Sequence, residues 1–226
     1  DWSGFYVSGL AGATGGAADV KTITGRLQYF NVTDAQQIAR IGKNDIDQWR
    51  PSGGLASGYG MQFGHVIVGL EASAHTLFLD EDHVSDERIV SSNNGTRMTL
   101  RQSVKADWMA TLRPKLGWAQ DNWLGYVTGG AAATQVKFDV LHTDNDFSGY
   151  SKASKERFVM GWSIGFGGEY ALDKNWSLRG DYLFTRFGEV KSVSDVTSTN
   201  NSGGTMLHSA DLDTHGLFIG FTYRFN

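Results

Sequence analysis

The sequence predicts an all-β chain, an eight-stranded antiparallel up-and-down transmembrane β-barrel with four long external loops and short periplasmic turns. Three observations predict it. Between Ser103 and Trp118 every even position is apolar: Val104, Ala106, Trp108, Ala110, Leu112, Pro114, Leu116 and Trp118. The odd positions are polar or small, Met109 excepted. A period of two held this long is a strand, because successive side chains leave opposite faces. At roughly 3.3 Å per residue it runs about 50 Å, beyond the reach of an ordinary globular strand. Such length with such alternation suits a strand that faces lipid on one side and a lumen on the other. The second observation is that similar stretches recur, joined alternately by three short turns and four long polar segments. The third is the 29 Gly, which fall largely on the polar faces of the fourth, sixth and eighth strands. A narrow barrel needs small residues inside.

Taken in order, Trp2 to Ala13 reads as a first strand with Phe5 and Val7 outward. Thr14 to Arg50 is a long polar loop. Within it, Thr33-Asp34 is placed to cap a short helix over Ala35 to Ile41, with Gly42 as its stop; a solvated loop with a local turn reads equally well. Ser52 to Phe63 is the second strand and Gly64-His65 a tight turn. Val66 to Leu79 is the third, with Val66, Val68, Leu70, Ala72 and Ala74 on one face and Glu71, Ser73 and His75 on the other. Asp80 to Leu100 is the second loop, followed by the fourth strand already described. Gln120-Asp121-Asn122 turns the chain into the fifth strand, Trp123 to Val140, whose late half sets Val136, Phe138 and Val140 against Gln135, Lys137 and Asp139. Leu141 to Ser154 is the third loop. Arg157 to Leu172 is the sixth strand, Asp173-Lys174-Asn175 a turn, and Trp176 to Val190 the seventh. Lys191 to His208 is the fourth loop, and Ser209 to Phe225 the last strand. Pro114 removes one ladder hydrogen bond, so a bulge or a water is expected beside it.

The totals narrow the function. The 226 residues suit a single barrel domain over 1–226, and the absence of Cys excludes disulfides and Cys-based metal sites. A net charge of -4 gives no basic face for nucleic acid. No run of about 18 apolar residues is present, which excludes a membrane-spanning helix and leaves a barrel open. Asp1 follows no Met and no apolar leader, so the expectation is a mature chain whose signal peptide has been removed.

By parity, Glu71, Lys105, Asp107, Arg113, Lys115, Lys137, Asp139, Glu169, Arg179, Asp181 and Arg224 point into the lumen. Six are positive and five negative. A near-balanced set in an interior that side chains just fill predicts paired charges and a closed lumen. The depths of Glu71, Arg113, Glu169, Arg179 and Asp181 place them in one layer. Lys115 and Arg224 belong to the same structural cluster. The alternative is an ion-selective pore. Asp80, Glu81, Asp82, His83, Asp86 and Glu87 form an acidic stretch that either binds a divalent cation through oxygens or is a solvated loop. Ser209, Asp211, Asp213 and His215 alternate on one outer face, as in a lipid-modifying enzyme. Residues two apart on a strand are near 7 Å, however, which leaves Ser209 too far from His215 to pass it a proton. The six His show no metal-ligand spacing, and no cofactor is implied.

Several segments resemble the eight-stranded outer-membrane barrels of alphaproteobacteria, the porin-like surface antigens related to the transmembrane part of OmpA. They are W-S-G-F-Y-V from Trp2, V-G-L-E from Val68, W-L-G-Y-V-T-G-G from Trp123, G-G-E-Y-A-L-D-K-N-W-S-L from Gly167, D-Y-L-F-T-R-F-G from Asp181, and G-F-T-Y-R-F from Gly220. The resemblance implies the bacterial outer membrane, with lipid and lipopolysaccharide as surroundings. It implies a terminal-strand signal for the barrel-assembly machinery at Gly220, Tyr223 and Phe225, although this chain ends in Asn226 rather than Phe. It also implies roles in envelope integrity or surface contact with other envelope or surface proteins, and haem binding in some members, for which His83, His142 and His208 are the external candidates. The reading is therefore a non-enzymatic barrel with a filled lumen and a structural or surface-facing role. The rivals are a narrow porin, a lipid-modifying enzyme and a soluble lipocalin-like barrel.

Overall fold

Long alternating strands can satisfy their backbone in a bilayer only if no sheet edge is left open. The computed structural model meets that condition; it describes residues 1–24, 44–88, 97–144, 150–196 and 204–225. Its strands are β1 Gly4–Thr24, β2 Asn44–Phe63, β3 Val66–Arg88, β4 Arg97–Gln120, β5 Trp123–Asp144, β6 Tyr150–Ala171, β7 Trp176–Val196 and β8 Gly204–Phe225. Each is antiparallel to the next, and β1 closes on β8 from Phe5↔Phe225 to Thr24↔Met206. No helix occurs among the described residues.

The strands run well past the membrane into segments whose polarity reads as loop. The acidic stretch Asp80 to Glu87 lies within β3, paired with β4 as Asp80↔Lys105 through Glu87↔Met98. Hairpin pairing satisfies the backbone whatever the side chains are, so loss of apolar alternation marks the membrane boundary and not the strand end. The expected helix over Ala35 to Ile41 lies outside the described residues.

The three turns fall at the expected places. Gly64 adopts φ +63°, a left-handed conformation that glycine reaches without strain. Asp121 takes φ +52° in the second turn. In the third, Asp173 Oδ1 accepts the Asn175 and Trp176 amides at 2.8 and 2.7 Å. Those amide donors, Trp176 first, hold its carboxyl below the ordinary aspartate range.

Outward faces carry the apolar belt. Leu55, Leu116, Val127, Ile164 and Ile219 are each more than half exposed. Phe5 and Val7 face outward, as expected. Rings gather near the turns, where Trp123 packs on Tyr170, Trp176 on Tyr223, and Phe225 on both Tyr223 and Phe5. That is the position of an interfacial aromatic girdle.

Two expectations about β4 are corrected. No bulge forms at Pro114: the register to β5 is the same at Leu112↔Ala131 and Lys115↔Thr128 on either side of it. The irregularities lie higher. β3 gains a residue between Thr76 and Leu79, where Phe78 has φ +48°, and β4 gains one between Ala106 and Met109. An inserted residue reverses parity beyond it. Ala106 is consequently buried and Asp107 exposed, the reverse of the unbroken pattern.

Candidate functional site: a lumen filled in layers

The interior is built from residues spaced two apart on every strand, and it is stratified. Nearest the turns lies an apolar layer of Trp2, Ile67, Ala119, Leu124 and Tyr126. Farther along the strands, Leu10, Leu77, Met109, Leu183, Phe187 and Phe218 belong to a second apolar layer. Between them sit the charges.

Glu71 on β3 and Arg179 on β7 form the centre. Glu71 Oε2 accepts Arg179 Nη1 at 2.8 Å, and Oε1 accepts Arg179 Nη2 at 3.0 Å and Arg113 Nη2 at 2.9 Å. Tyr6 OH donates to Oε2 at 2.8 Å. Arg179 Nε also donates to Asp181 Oδ2 at 2.6 Å, and Tyr126 OH to Asp181 Oδ1 at 2.6 Å. Lys115 Nζ bonds Glu169 Oε1 at 2.8 Å, stands 4.0 Å from Glu71, and lies 3.7 Å from the centre of the Tyr126 ring. Glu169 Oε2 takes Ser177 Oγ at 3.1 Å and Arg224 Nη2 at 3.5 Å. Arg224 in turn lies over the Trp2 ring. Buried charges are tolerated when paired and hydrogen-bonded; every charge in this set has an opposite partner, while Arg113 Nε and Arg224 Nε are buried without a hydrogen bond.

Of the charges that parity turns inward, the structure brings Glu71, Arg113, Lys115, Glu169, Arg179, Asp181 and Arg224 together. It removes others. Lys137 faces outward, 53% exposed, near Glu156. β5 keeps its even residues inward without interruption, from Leu124 to Val136. Lys105, paired with Lys137 across the strands, shares its outward face. The side chain of Asp139 lies outside the described residues.

The reading missed Tyr6 and Tyr126, whose hydroxyls join the acids. Their signal lay in the register. The two-residue turn pairs Gln120 with Trp123 and so sets Tyr126 opposite lumenal Gly117. Glycine makes the room. A Cβ on Gly58 would meet the Tyr6 hydroxyl at 2.6 Å, and one on Gly167 the Tyr126 hydroxyl at 2.7 Å. Above the acids, His75 Nε2 bonds Ser73, which bonds Thr111, and the His75 ring packs on Phe218.

Of the remaining candidates, the described pair Asp213 and His215 does not assemble. His215 Nδ1 bonds Tyr182 OH at 2.7 Å, while Asp213 is held by Arg186 at 2.8 and 2.5 Å. Both therefore engage β7 and not each other. The side chains of Ser209, Asp211, His83, His142, His208 and the acidic stretch lie outside those described. Gly220 faces inward against Leu10, where a Cβ would meet that side chain at 2.9 Å; Tyr223 and Phe225 join the girdle.

Residues 1–225 match the family model of the outer membrane protein beta-barrel domain. The chain is 26% identical over 225 residues to the 31 kDa outer-membrane immunogenic protein of Brucella melitensis, covering 99% of this chain and 84% of that protein. It is 24% identical over 189 residues to the 25 kDa outer-membrane immunogenic protein of Brucella abortus, covering 84% and 71%. Among solved structures, the outer membrane protein OprG of Pseudomonas aeruginosa matches with TM-score 0.53 and 14% identity over 99% of this chain and 96% of that one, a likeness of fold alone. A closed, lipid-belted barrel with this match along its length is an outer-membrane protein, and the chain belongs to the outer-membrane β-barrel domain family.

Proposed function

We propose that this chain is a sealed, non-enzymatic barrel that reinforces the outer membrane and presents its outer rim to partners. The observation that carries the proposal is the stratified lumen, a hydrogen-bonded charged layer held between two apolar ones. Such a filling supports a sealed lumen over an aqueous channel, as does the strand number, since eight strands leave an interior that side chains just fill. The engagement of His215 and Asp213 with β7 argues against hydrolytic chemistry on the outer face. Strands extending beyond the belt set the rim far from the bilayer, where lipopolysaccharide and other envelope or surface proteins are the partners. The relatives' description as immunogenic outer-membrane proteins supports a rim exposed at the surface. Gly220, Tyr223 and Phe225 are proposed as the segment read by the barrel-assembly machinery.

The test has two arms. In planar bilayers, the purified chain is expected to give no steady conductance. In cells, deleting it is expected to raise sensitivity to detergents and large antibiotics, with rescue by the full chain. A steady, ion-selective current from the parent protein supports the narrow-porin reading instead.

A further inference from the structure

The barrel wall forks twice on its way out of the membrane. β2 and β3 pair from Phe63↔Val66 only as far as Gly54↔His75, and β6 and β7 from Ala171↔Ser177 only as far as Gly161↔Phe187. The other neighbouring strands stay paired well beyond those heights, to Arg88↔Arg97, Thr143↔Tyr150, Val20↔Asn44 and Val196↔Gly204. Both forks start at an irregularity. β3 gains its residue between Thr76 and Leu79, and the register of β7 to β8 shifts between Phe187 and Val190. A bulge bends its strand, and each of these strands loses one neighbour at the bend. Thr76 stands at the base of the first fork. Its hydroxyl accepts the Gly53 amide at 3.0 Å and donates to Gly53 O at 3.2 Å, taking the place of a backbone partner. Past it, among the described residues, no strand pairs with the β2-facing edge of β3 from Asp80 to Arg88.

Asp80 begins the part of β3 that lies past the apolar belt, where water tolerates an open edge that lipid would not. A long row of backbone donors and acceptors is a template for one more strand. β2, across the fork, carries Pro51, which has no amide to donate, so β3 is the better template. Charge then selects the strand. Five carboxylates lie between Asp80 and Glu87, and Asp45 and Asp47 stand on β2 across the fork, against Arg50 and Arg88. A second copy presenting the same edge would set acids against acids, and like charges opposed across strands destabilise the pair. A cationic strand meets no such penalty. The β6–β7 fork supplies the contrast, with Lys152, Lys155, Arg157 and Lys191 against three acids. We infer that the edge of β3 from Asp80 to Arg88 takes up, by strand addition, an extended lysine- or arginine-rich segment of another protein. The site belongs to the surface-exposed rim proposed above and depends on that exposure.

Fluorescence anisotropy of labelled peptides with the folded full chain in detergent tests this. The probe alternates Lys and Thr and ends in one Cys. One counterpart carries Glu for Lys, and another is N-methylated along its backbone. The Lys–Thr peptide is expected to bind and the Glu form not to. N-methylation keeps the charge and removes the donors, so it should weaken binding by about tenfold to a hundredfold, the worth of about two net hydrogen bonds. This chain has no Cys, so disulfide trapping locates the peptide. Trapping is expected to be much faster at Ser85→Cys on β3 than at Ser192→Cys on β7, beside the other fork. Absence of binding, equal binding of the Lys and Glu peptides, undiminished binding after N-methylation, or equal trapping at the two positions overturns the inference. If Ser85→Cys does not fold, the three peptides decide alone. None of these readouts depends on conductance, so their failure removes the strand site and leaves the sealed barrel to its own test.

Discussion

Arg179 shows what a single side chain does in this lumen. It is 2% exposed and donates to Glu71, Asp181 and Ser8, with its Nη1–Ser8 Oγ bond at 3.2 Å. Removing one partner of a buried pair costs on the order of 3–5 kcal/mol, because the other charge is left unpaired. Arg113 shares Glu71 but otherwise meets only hydroxyls, on Thr128 and Ser73, at 3.3 and 3.4 Å. Arg179→Ala is therefore expected to destabilise more than Arg113→Ala. Arg179→Ala with Glu71→Ala should cost less than the sum of the single changes, since the pair leaves together. Urea unfolding in lipid vesicles measures this; additive costs, or equal costs for the two arginines, would contradict the assignment of Arg179 to the centre. At this scale the seven charges that meet in the lumen were legible because each is polar on a strand whose other face is apolar, whereas Lys105, Asp107 and Lys137 were placed on the wrong face. Tyr6 and Tyr126 were not legible, since an aromatic residue fits either face, and only the register separates them.

A strand is legible where its parity is unbroken and its apolar residues are the lipid-facing ones; on β5, unbroken, the apolar Val136 is buried and Lys137 faces outward, so Lys137 was assigned to the wrong face. β6 kept its parity and β7 kept its own as far as Phe187, where its register to β8 shifts, so Glu169, Arg179 and Asp181 came out on the lumenal side. β4 did not keep its parity. Met109, apolar on an otherwise polar face, was the visible sign that the pattern changed there. It is 1% exposed within the upper apolar layer. An extra residue has no signature in composition, so Asp107 was assigned to the wrong face. The membrane-spanning part of β4 below Met109, and β6 as a whole, allow a direct test of facing. Leu116 and Ile164 are each 54% exposed toward lipid, whereas Gly165 is lumenal, and a Cβ there would meet the Tyr182 carbonyl at 2.8 Å and Leu183 at 3.2 Å. Leu116→Arg and Ile164→Arg should each cost roughly 2–4 kcal/mol near the midplane. Gly165→Trp should fail for the other reason, lack of room. Heat-modifiable migration on unheated SDS gels reports the folded fraction; tolerance of either arginine at parental yield would mean the faces are reversed.

For the molecule as a whole, the proposed seal is a matter of layers, and no single element contains it. The fold class was legible from alternation and turn spacing, because a barrel repeats one simple rule eight times. The sandwich inside was not, since each apolar layer draws its residues from separate stretches of the chain, as Leu10, Leu77, Phe187 and Phe218 do in the upper one and Trp2, Ile67 and Leu124 in the lower. Their meeting is a product of register. The layering also separates two ideas about the seal. If the charged layer alone closes the barrel, breaking it opens a path. If closure is shared, Glu71→Ala with Arg179→Ala still leaves Leu77, Met109, Phe187 and Phe218 above, and Trp2, Ile67 and Leu124 below. The double variant is therefore expected to be less stable yet to pass no steady current in planar bilayers. Phe187→Ala, which costs on the order of 3–5 kcal/mol as a large buried truncation, should likewise stay closed, because the charged layer and the lower apolar layer remain. A current should appear only when the charged layer and both apolar layers are breached together. Steady conductance from the Glu71→Ala, Arg179→Ala variant, with the barrel still folded by SDS migration, would assign the seal to the charges alone.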